Sequence, residues 1–256
     1  MESVPSPCPL PPAPYPMTNL TPSHFFNFSD YPHADLFADL DYVWQAIDNI
    51  APYLANTIGG RGLQIEGRLL EGAYLGEGDI VIGPGTVVEP GAYIIGPTII
   101  GADCKIAQGA YIRGNAVIGD GSVVGHTTEV KNSIFLPGAH APHFNYVGDS
   151  ILGRGVNLGA GTKLSNLTVV SVKDAATGKR PTIHLTIDGE LYDTGLAKLG
   201  AILGDGVQTG CNSVLNPGVL IGPRTLVYPN LSLPKGYYPG DAIIKLKQML
   251  EVVARK

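Results

Sequence analysis

From Ile82 to Val130 a branched aliphatic residue returns at every sixth position: Ile82, Val88, Ile94, Ile100, Ile106, Ile112, Ile118, Val124 and Val130. Neither an α-helix nor a half-buried strand has that period. A short fixed repeat of this kind is the mark of a parallel β-helix, in which short extended sides turn a corner every six residues and send the aliphatic side chain inward. Gly follows the aliphatic residue at 83, 101, 119 and 125, where freedom in φ relieves a corner. Three sides make a triangular coil of eighteen residues, and coils stack at the spacing of hydrogen-bonded strands, about 4.8 Å. Residues eighteen apart are therefore stacked neighbours.

The ladder extends both ways with interruptions. Leu63, Leu69 and Leu75 keep the period, and a slip of one residue leads into Ile82. Beyond Val130 the step shortens to five at Phe135, recovers through Ala141 and Val147, and shortens again to Leu152, Leu158 and Leu164. These slips bracket residues 136–146, and irregularity in a rigid repeat is where sites tend to sit. Residues 168–192 abandon the period. Their β-rich runs VVSV and TIHLTI flank the turn-forming DAATGKR, and IDGEL supplies a second tight turn, so an inserted β-hairpin is expected there. The period resumes as Ile202, Val214, Leu220 and Leu226, with Gln208 at one inward position. A β-helix is thus expected over 60–240.

The flanks differ. Residues 1–16 hold seven prolines, which suits a disordered, PPII-like lead-in reaching about residue 20; Met17 is a candidate natural start. Leu36, Leu40, Val43, Trp44, Ile47 and Ile50 follow helical spacing. A helix is expected over 34–54, with Asp35 as N-cap and Pro52 near its end, burying its stripe on the first coil or a neighbouring subunit. Residues 241–256 have the amphipathic pattern of a C-terminal helix, with Ile243, Ile244, Leu246, Met249, Leu250 and Val253 crowding one side.

A net charge of −5 argues against a general nucleic-acid or membrane-surface binder, which needs a basic footprint. A local basic pocket for a phosphorylated small molecule stays open. Cys8, Cys104 and Cys211 have no metal-ligand spacing and read as free thiols in a reducing compartment. With no long apolar run and no signal-peptide pattern at the N-terminus, a cytoplasmic location is expected.

Polar residues gather around the slips. Arg113 and Lys131 are eighteen apart, so they should stack one coil from the next. Two such cations call for an anion between them or a nearby acid, for which Glu129 is placed; two solvated surface cations are the plain alternative. His143 lies in APHFNYVGD at the second slip, with His140 three residues before it and His126 one coil earlier. A zinc site of the kind in β-helix carbonic anhydrases calls for an H-x4-H pair, which His140 and His143 do not make. The run GVNLGAGTKLSN, residues 155–166, is polar and Gly-rich while keeping Leu158 and Leu164 inward, which lets a ligand approach the backbone closely.

The Arg of YIRGNA, VGHTTEVK, APHFNYVGD and GVNLGAGTKLSN together carry a resemblance. Residues 113–166 resemble, without gaps, the acetyltransferase domain of the bifunctional N-acetylglucosamine-1-phosphate uridyltransferase/glucosamine-1-phosphate acetyltransferase family. DTGLAKLGAILGDGVQTGCN is similar to archaeal-type members, which also carry a β insertion before it. The resemblance implies an all-β fold, a left-handed parallel β-helix of hexapeptide repeats, assembled as a homotrimer with sites between solenoids. It further implies acetyl transfer from acetyl-CoA to an amino-sugar phosphate, with no metal. His143 would be the general base; Arg113, Lys131 and Lys198 would hold the phosphate; Tyr146 and Asn157 would touch the sugar; Ala160, Asn166, Cys211 and Pro229 would meet acetyl-CoA. The chain departs from the family at Leu167, Leu196 and Cys211, where bacterial members have an aromatic, archaeal-type members a basic residue and bacterial members a Ser, respectively. About sixty residues precede the solenoid, too few for the family's uridyltransferase domain, so no pyrophosphorylase activity is expected. A non-catalytic sugar-nucleotide-binding module that partners a separate nucleotidyltransferase is the competing expectation.

Overall fold

A computed structural model describes residues 18–246. Three parallel sheets of nine, nine and eight strands wind as one solenoid, each strand pairing with the strand one coil away. Sheet A begins with Leu63–Ile65, sheet B with Arg68–Leu69 and sheet C with Tyr74–Leu75, and the chain then cycles A, B, C. The architecture is the left-handed parallel β-helix that the resemblance implied. All nine rungs of the ladder from Ile82 to Val130 lie inside the prism at no more than 1% exposure, together with Phe135, Ala141, Val147, Leu152, Leu158 and Leu164. The two shortened steps make coils of seventeen residues, because Ile118 pairs with Phe135 and Phe135 with Leu152.

Corners follow from local chemistry. The outward residues that turn sheet C into sheet A include Asn115, Asn132 and Asp149, all with positive φ, the conformation that Asn and Asp tolerate best after Gly. Short hydroxyl side chains fill corner positions inside the prism and cap carbonyls one coil on: Thr86 donates to the Gly101 carbonyl at 2.6 Å and Thr128 to that of Ala141 at 3.0 Å. Buried backbone acceptors at a turn are thereby satisfied.

Two inward assignments change. Leu63 is 56% exposed, and Ile65 stacks beneath Ile82 instead. Past the insertion the inward series is Leu203, Thr209, Leu215, Ile221, Val227 and Leu233, one residue later than the expected Ile202, Gln208, Val214, Leu220 and Leu226, because Leu152 pairs with Leu203, Leu158 with Thr209 and Leu164 with Leu215. Apolar doublets caused the ambiguity. Ile202 and Leu220 are buried too, on the outer face of sheet A, under a second apolar layer.

That layer is the N-terminal region. Phe25, Phe26, Leu36, Phe37, Trp44, Ile47, Ile50 and Leu54 pack with Ile99, Val117, Ile134 and Ile151, the outward residues of sheet A. The helix is Ala46–Ile58, preceded by 3₁₀ turns at Ala34–Phe37 and Val43–Gln45, in place of one helix over 34–54. Asp39 at φ +55° breaks the earlier stretch. Pro52 is inside the helix; the carbonyl it leaves unpaired belongs to Asp48, and both residues are exposed, so water serves it. The helix lies along one side of the prism, burying Ile47, Ile50, Leu54 and Ile58. The lead-in also ends earlier than expected: Leu20 is 4% exposed and its carbonyl accepts the Val43 N–H, while residues 1–17 lie outside the described residues.

The insertion leaves the corner between sheets C and A and returns to Ala201–Leu203. Its hairpin pairs His184–Ile187 with Glu190–Asp193 around Asp188 and Gly189, both at positive φ, as a tight hairpin turn requires. The expected VVSV strand is absent: Val169, Val170 and Val172 are 78–102% exposed and unpaired, since they have no sheet edge beside them. Ile183, Leu185 and Ile187 join the apolar layer. Residues 241–246 are not helical; Ile243–Ile244 adds a strand to Leu226–Val227. The rest of the expected C-terminal helix lies outside the described residues. No helix among the described residues is long and apolar enough to cross a membrane.

Candidate active site

The corner between sheets B and C carries the first group. His143 ends the strand His140–His143 and is exposed. Backbone N–H groups climb this corner coil by coil: Phe144 donates to the His126 carbonyl, Gly161 to that of His143, Asn212 to that of Ala160 and Asn230 to that of Cys211. His143, Ala160, Cys211 and, next to Asn230, Pro229 therefore occupy consecutive levels of one edge. His126 lies beside His143 in register, yet among the described residues no three His, Cys, Asp or Glu side chains group as a metal site requires.

Two neighbours fix His143. Asn145 is 3% exposed; its Oδ1 accepts the His143 N–H at 3.0 Å and its Nδ2 donates to the Gly159 carbonyl at 2.8 Å. Its own N–H is held by Thr128 Oγ1 at 3.2 Å. One residue, through its side chain and its backbone N–H together, thus ties three coils around the histidine. Phe144 has φ +38° with its ring 54% exposed. Other residues stacked at this corner with positive φ are Gly109, Thr127, Gly161, Asn212 and Asn230, so an aromatic there is strained. Backbone strain of this kind gathers at functional positions.

The second group is on the corner between sheets C and A. Arg113 and Lys131 end adjacent strands, Tyr111–Arg113 and Glu129–Lys131. Arg113 pairs with Glu129 at 2.7 Å, which raises the guanidinium pKa chiefly through that hydrogen bond. Of the two compensations for the stacked cations, the acid is therefore present, while among the described residues no carboxylate lies within ion-pair distance of the half-buried Lys131. Asp149 accepts from Asn132 at 2.8 Å and from Asn166, and the Tyr146 hydroxyl donates to Asn166 Oδ1 at 3.3 Å. Burial, followed by Glu129, pushes the Tyr146 pKa up, so its phenol stays protonated as a donor. Leu199 donates its N–H to the Asn166 carbonyl, which places the exposed Lys198 beside this cluster.

The sequence-expected residues thus fall into two groups flanking sheet C, with Tyr146 on the sheet. Asn166 joins the second group, with Asp149 and Tyr146, and not the edge of Ala160 and Cys211. Asn157 lies on sheet B between His140 and Gln208 in register, away from both corners. Of the departures, Leu196 is 5% exposed in the apolar layer under the hairpin, so packing accounts for it. Leu167 lines a groove of about 320 Å³ with Ser165, Val169, Asn216 and Lys235. Asn145, Phe144 and Asp149 escaped the sequence reading. A polar residue at an inward corner beside the slip was the available signal for Asn145.

A family profile described as the GMPPB C-terminal domain matches residues 94–185. The bifunctional sugar-1-phosphate nucleotidylyltransferase/acetyltransferase of Sulfurisphaera tokodaii is 37% identical over 106 residues, 41% of this chain and 24% of that protein. A bifunctional protein GlmU of Methanococcus maripaludis is 32% identical over 212 residues, 83% of this chain and 48% of that protein. The chain spans about half or less of the length of these relatives. Among solved structures, the UDP-N-acetylglucosamine acyltransferase from Campylobacter jejuni is 17% identical over 67% of this chain and 69% of that one, with a TM-score of 0.46. By its repeats, its β-helix and the relatives it matches, the chain resembles the bifunctional sugar-1-phosphate nucleotidylyltransferase/acetyltransferase proteins over half or less of their length.

Proposed function

We propose that the protein transfers an acetyl group from acetyl-CoA to the amine of an amino-sugar phosphate of the glucosamine-1-phosphate kind, with His143 as general base. The observation that carries this reading is the single edge on which His143, Ala160, Cys211 and Pro229 follow one another, with Asn145 bonded to the His143 backbone. An ammonium is no nucleophile, so the amine must first shed a proton to solvent. The neutral amine then attacks the thioester carbonyl carbon while the imidazole takes its remaining excess proton. In the Gly159–Gly161 turn the Gly159 and Gly161 N–H groups already donate to the Thr209 and His143 carbonyls, so the oxyanion falls to the Ala160 N–H. The C–N bond forms, the C–S bond breaks, and the departing thiolate recovers a proton from the imidazolium.

Arg113, Lys131 and Lys198 hold the phosphate, Tyr146 and Asn157 the sugar, and Asn166 contacts acetyl-CoA together with the edge residues. In a homotrimer the edge bearing His143 in one subunit meets the edge bearing Lys131 in the next, which brings the two groups together. Release of CoA thiol on mixing the protein with acetyl-CoA and glucosamine-1-phosphate or galactosamine-1-phosphate tests the activity. Turnover retained by His143→Ala would falsify the assignment of the base. Co-expressing His143→Ala with Lys131→Ala chains tests the shared site: activity returns if each trimer contains a junction with both native residues, and does not if each chain holds a complete site.

A second reading has one observation in its favour, the match to a GMPPB C-terminal domain, a name that carries no acetyl transfer. In that reading the β-helix is a non-catalytic sugar-nucleotide-binding module. Thermal melting separates them, because a ligand bound only by the folded state raises the midpoint. Acetyl-CoA at millimolar concentration raises it in the first reading and leaves it unchanged in the second.

A further inference from the structure

The outer face of sheet C carries a column of residues in strict register: Tyr74, Tyr93, Tyr111, Glu129, Tyr146 and Lys163. Its upper members adjoin the candidate site, while its three lower tyrosines have no part in the chemistry proposed above. Tyr93 and Tyr111 are stacked, with centroids 5.7 Å apart and planes at 9°. The Arg113 guanidinium sits 5.9 Å from the centre of the Tyr111 ring. Tyr74 and Tyr93 do not stack, and a cavity of about 380 Å³ is lined by Tyr74, Leu75 and Tyr93. Gly76 permits the arrangement: a Cβ there would lie 3.0 Å from both a ring carbon and the hydroxyl of Tyr93. Both rings remain open to solvent, at 62% for Tyr74 and 41% for Tyr93.

Such a slot between two aromatic rings, with an aliphatic floor, suits a flat heteroaromatic ring. Its position in the ladder decides which kind of molecule that ring belongs to. From Tyr93 the strand of Arg113 is one coil away, about 5 Å; that of Lys131 is two coils, about 10 Å; that of Tyr146 is three, about 14 Å. His143 belongs to the same coil as Tyr146. Aromatic slot, cations, and sugar-contacting tyrosine beside the base residue therefore follow in the order nucleobase, diphosphate, hexose. We propose that the acceptor is a nucleoside-diphosphate-linked amino sugar whose base enters the slot between Tyr74 and Tyr93. This rests on the phosphate role given above to Arg113 and Lys131 and extends the acceptor beyond a sugar monophosphate.

Calorimetric titration of the full chain with UDP, GDP and ADP, against inorganic pyrophosphate, tests it. At least one nucleoside diphosphate should bind ten-fold or more tighter than pyrophosphate. Tyr93→Ala should weaken that nucleotide about 5- to 100-fold and leave pyrophosphate unchanged, a control that merely structural damage would not pass, while Tyr93→Phe retains wild-type affinity. Tyr74→Ala, at a more exposed position, should repeat the effect if Tyr93→Ala perturbs the fold. Nucleotides that bind no tighter than pyrophosphate, or alanine variants that bind them as wild type does, overturn the slot. A Tyr93→Ala protein that keeps nucleotide affinity but changes its oligomeric state marks the column as a subunit interface and also overturns it. The acetyl-transfer reading fails separately: nucleotide binding without any thiol release leaves the slot standing, and thiol release with sugar monophosphates without nucleotide binding does the reverse.

Discussion

Asn145 offers the sharpest test of how the scaffold holds its candidate base. Truncation to Ala removes the acceptor of the His143 N–H and the donor to the Gly159 carbonyl. Each group left unsatisfied costs about 1–3 kcal/mol; water reaches the exposed His143 side, so its share falls at the low end. The sum is roughly 2–4 kcal/mol, or about 5–15 °C in Tm for a chain of this size. Loss of the fixed backbone at His143 should lower kcat for acetyl transfer by about 10- to 100-fold with little change in KM. Asn145→Asp sharpens the test. Its Oδ1 still accepts from His143, but its second oxygen faces the Gly159 carbonyl at the 2.8 Å position and lies near that of Thr162. Burial against acceptors raises the folded pKa of that new carboxyl above its unfolded value, so the folded state binds the extra proton. Stability is then lowest above the raised pKa and recovers as pH falls through it. Urea melts between pH 4 and pH 8, roughly the span in which such a group titrates, measure this. An Ala variant within about 0.5 kcal/mol of wild type, or an Asp variant whose stability does not depend on pH, would refute the reasoning.

Phe144→Asn replaces a strained aromatic at φ +38° with a residue that tolerates that conformation. Stability should rise by about 1 kcal/mol, a gain of about 2–4 °C in a thermal melt, while thiol release falls. Lys substitutions test the phase of the upper coils: Gln208→Lys should stay within about 0.5 kcal/mol of wild type, whereas Thr209→Lys, at a position 5% exposed, should prevent folding or cost more than about 3 kcal/mol. In acid the junction between the helix and the first coil should loosen first. The Asp79 carboxylate accepts the Gly62 and Gly60 N–H groups, bonds that lower its pKa, with Gly62 the larger cause. Their contribution is whole above the unfolded carboxylate pKa, near 4, and is lost as pH falls through the lower folded value; hydrogen exchange at the two glycine amides reports it.

The β-helix was legible because the inward rungs obey one constraint, a close-packed triangular interior that admits an aliphatic side chain every sixth residue. Legibility failed wherever a second constraint overlay the first. Sheet A is buried on both faces, so Ile202 and Leu203, or Leu220 and Ile221, are equally apolar and the period alone could not choose between them. Gln208 was the tie-breaker: an amide that donates to the exposed Gly155 carbonyl has no place inside a dry prism. The stretch 34–45 carries helical spacing because its apolar residues must face one flat sheet, which two 3₁₀ turns accomplish as well as a helix. VVSV has the composition of a strand but no neighbour to pair with, and β-propensity without a partner edge forms nothing.

The candidate site follows the same logic at finer scale. The coil length placed Arg113 beside Lys131, as the strand register has it, since register is what a repeat determines; the slips made His143 the candidate. Register does not determine which corner a residue occupies relative to residues from other sheets. It gave no warning that Asn166 sits with Asp149 and Tyr146 while Ala160 and Cys211 sit above His143. Ala160 precedes the strand Lys163–Leu164 and Asn166 follows it, so one side of the triangle separates them. Dropping one residue per coil keeps Val130, Val147 and Leu164 stacked, and it brings Phe144 to a corner where Gly, Thr and Asn otherwise stand. The shortened coil thus delivers strain to the residue next to the candidate base, and the buried Asn145 bridges the coils on either side to hold it. A restored eighteenth residue, inserted as Gly between Phe144 and Asn145, should relax the corner, preserve the β-helix above and below, and abolish thiol release; retained turnover in that variant would show that the slip is architectural alone.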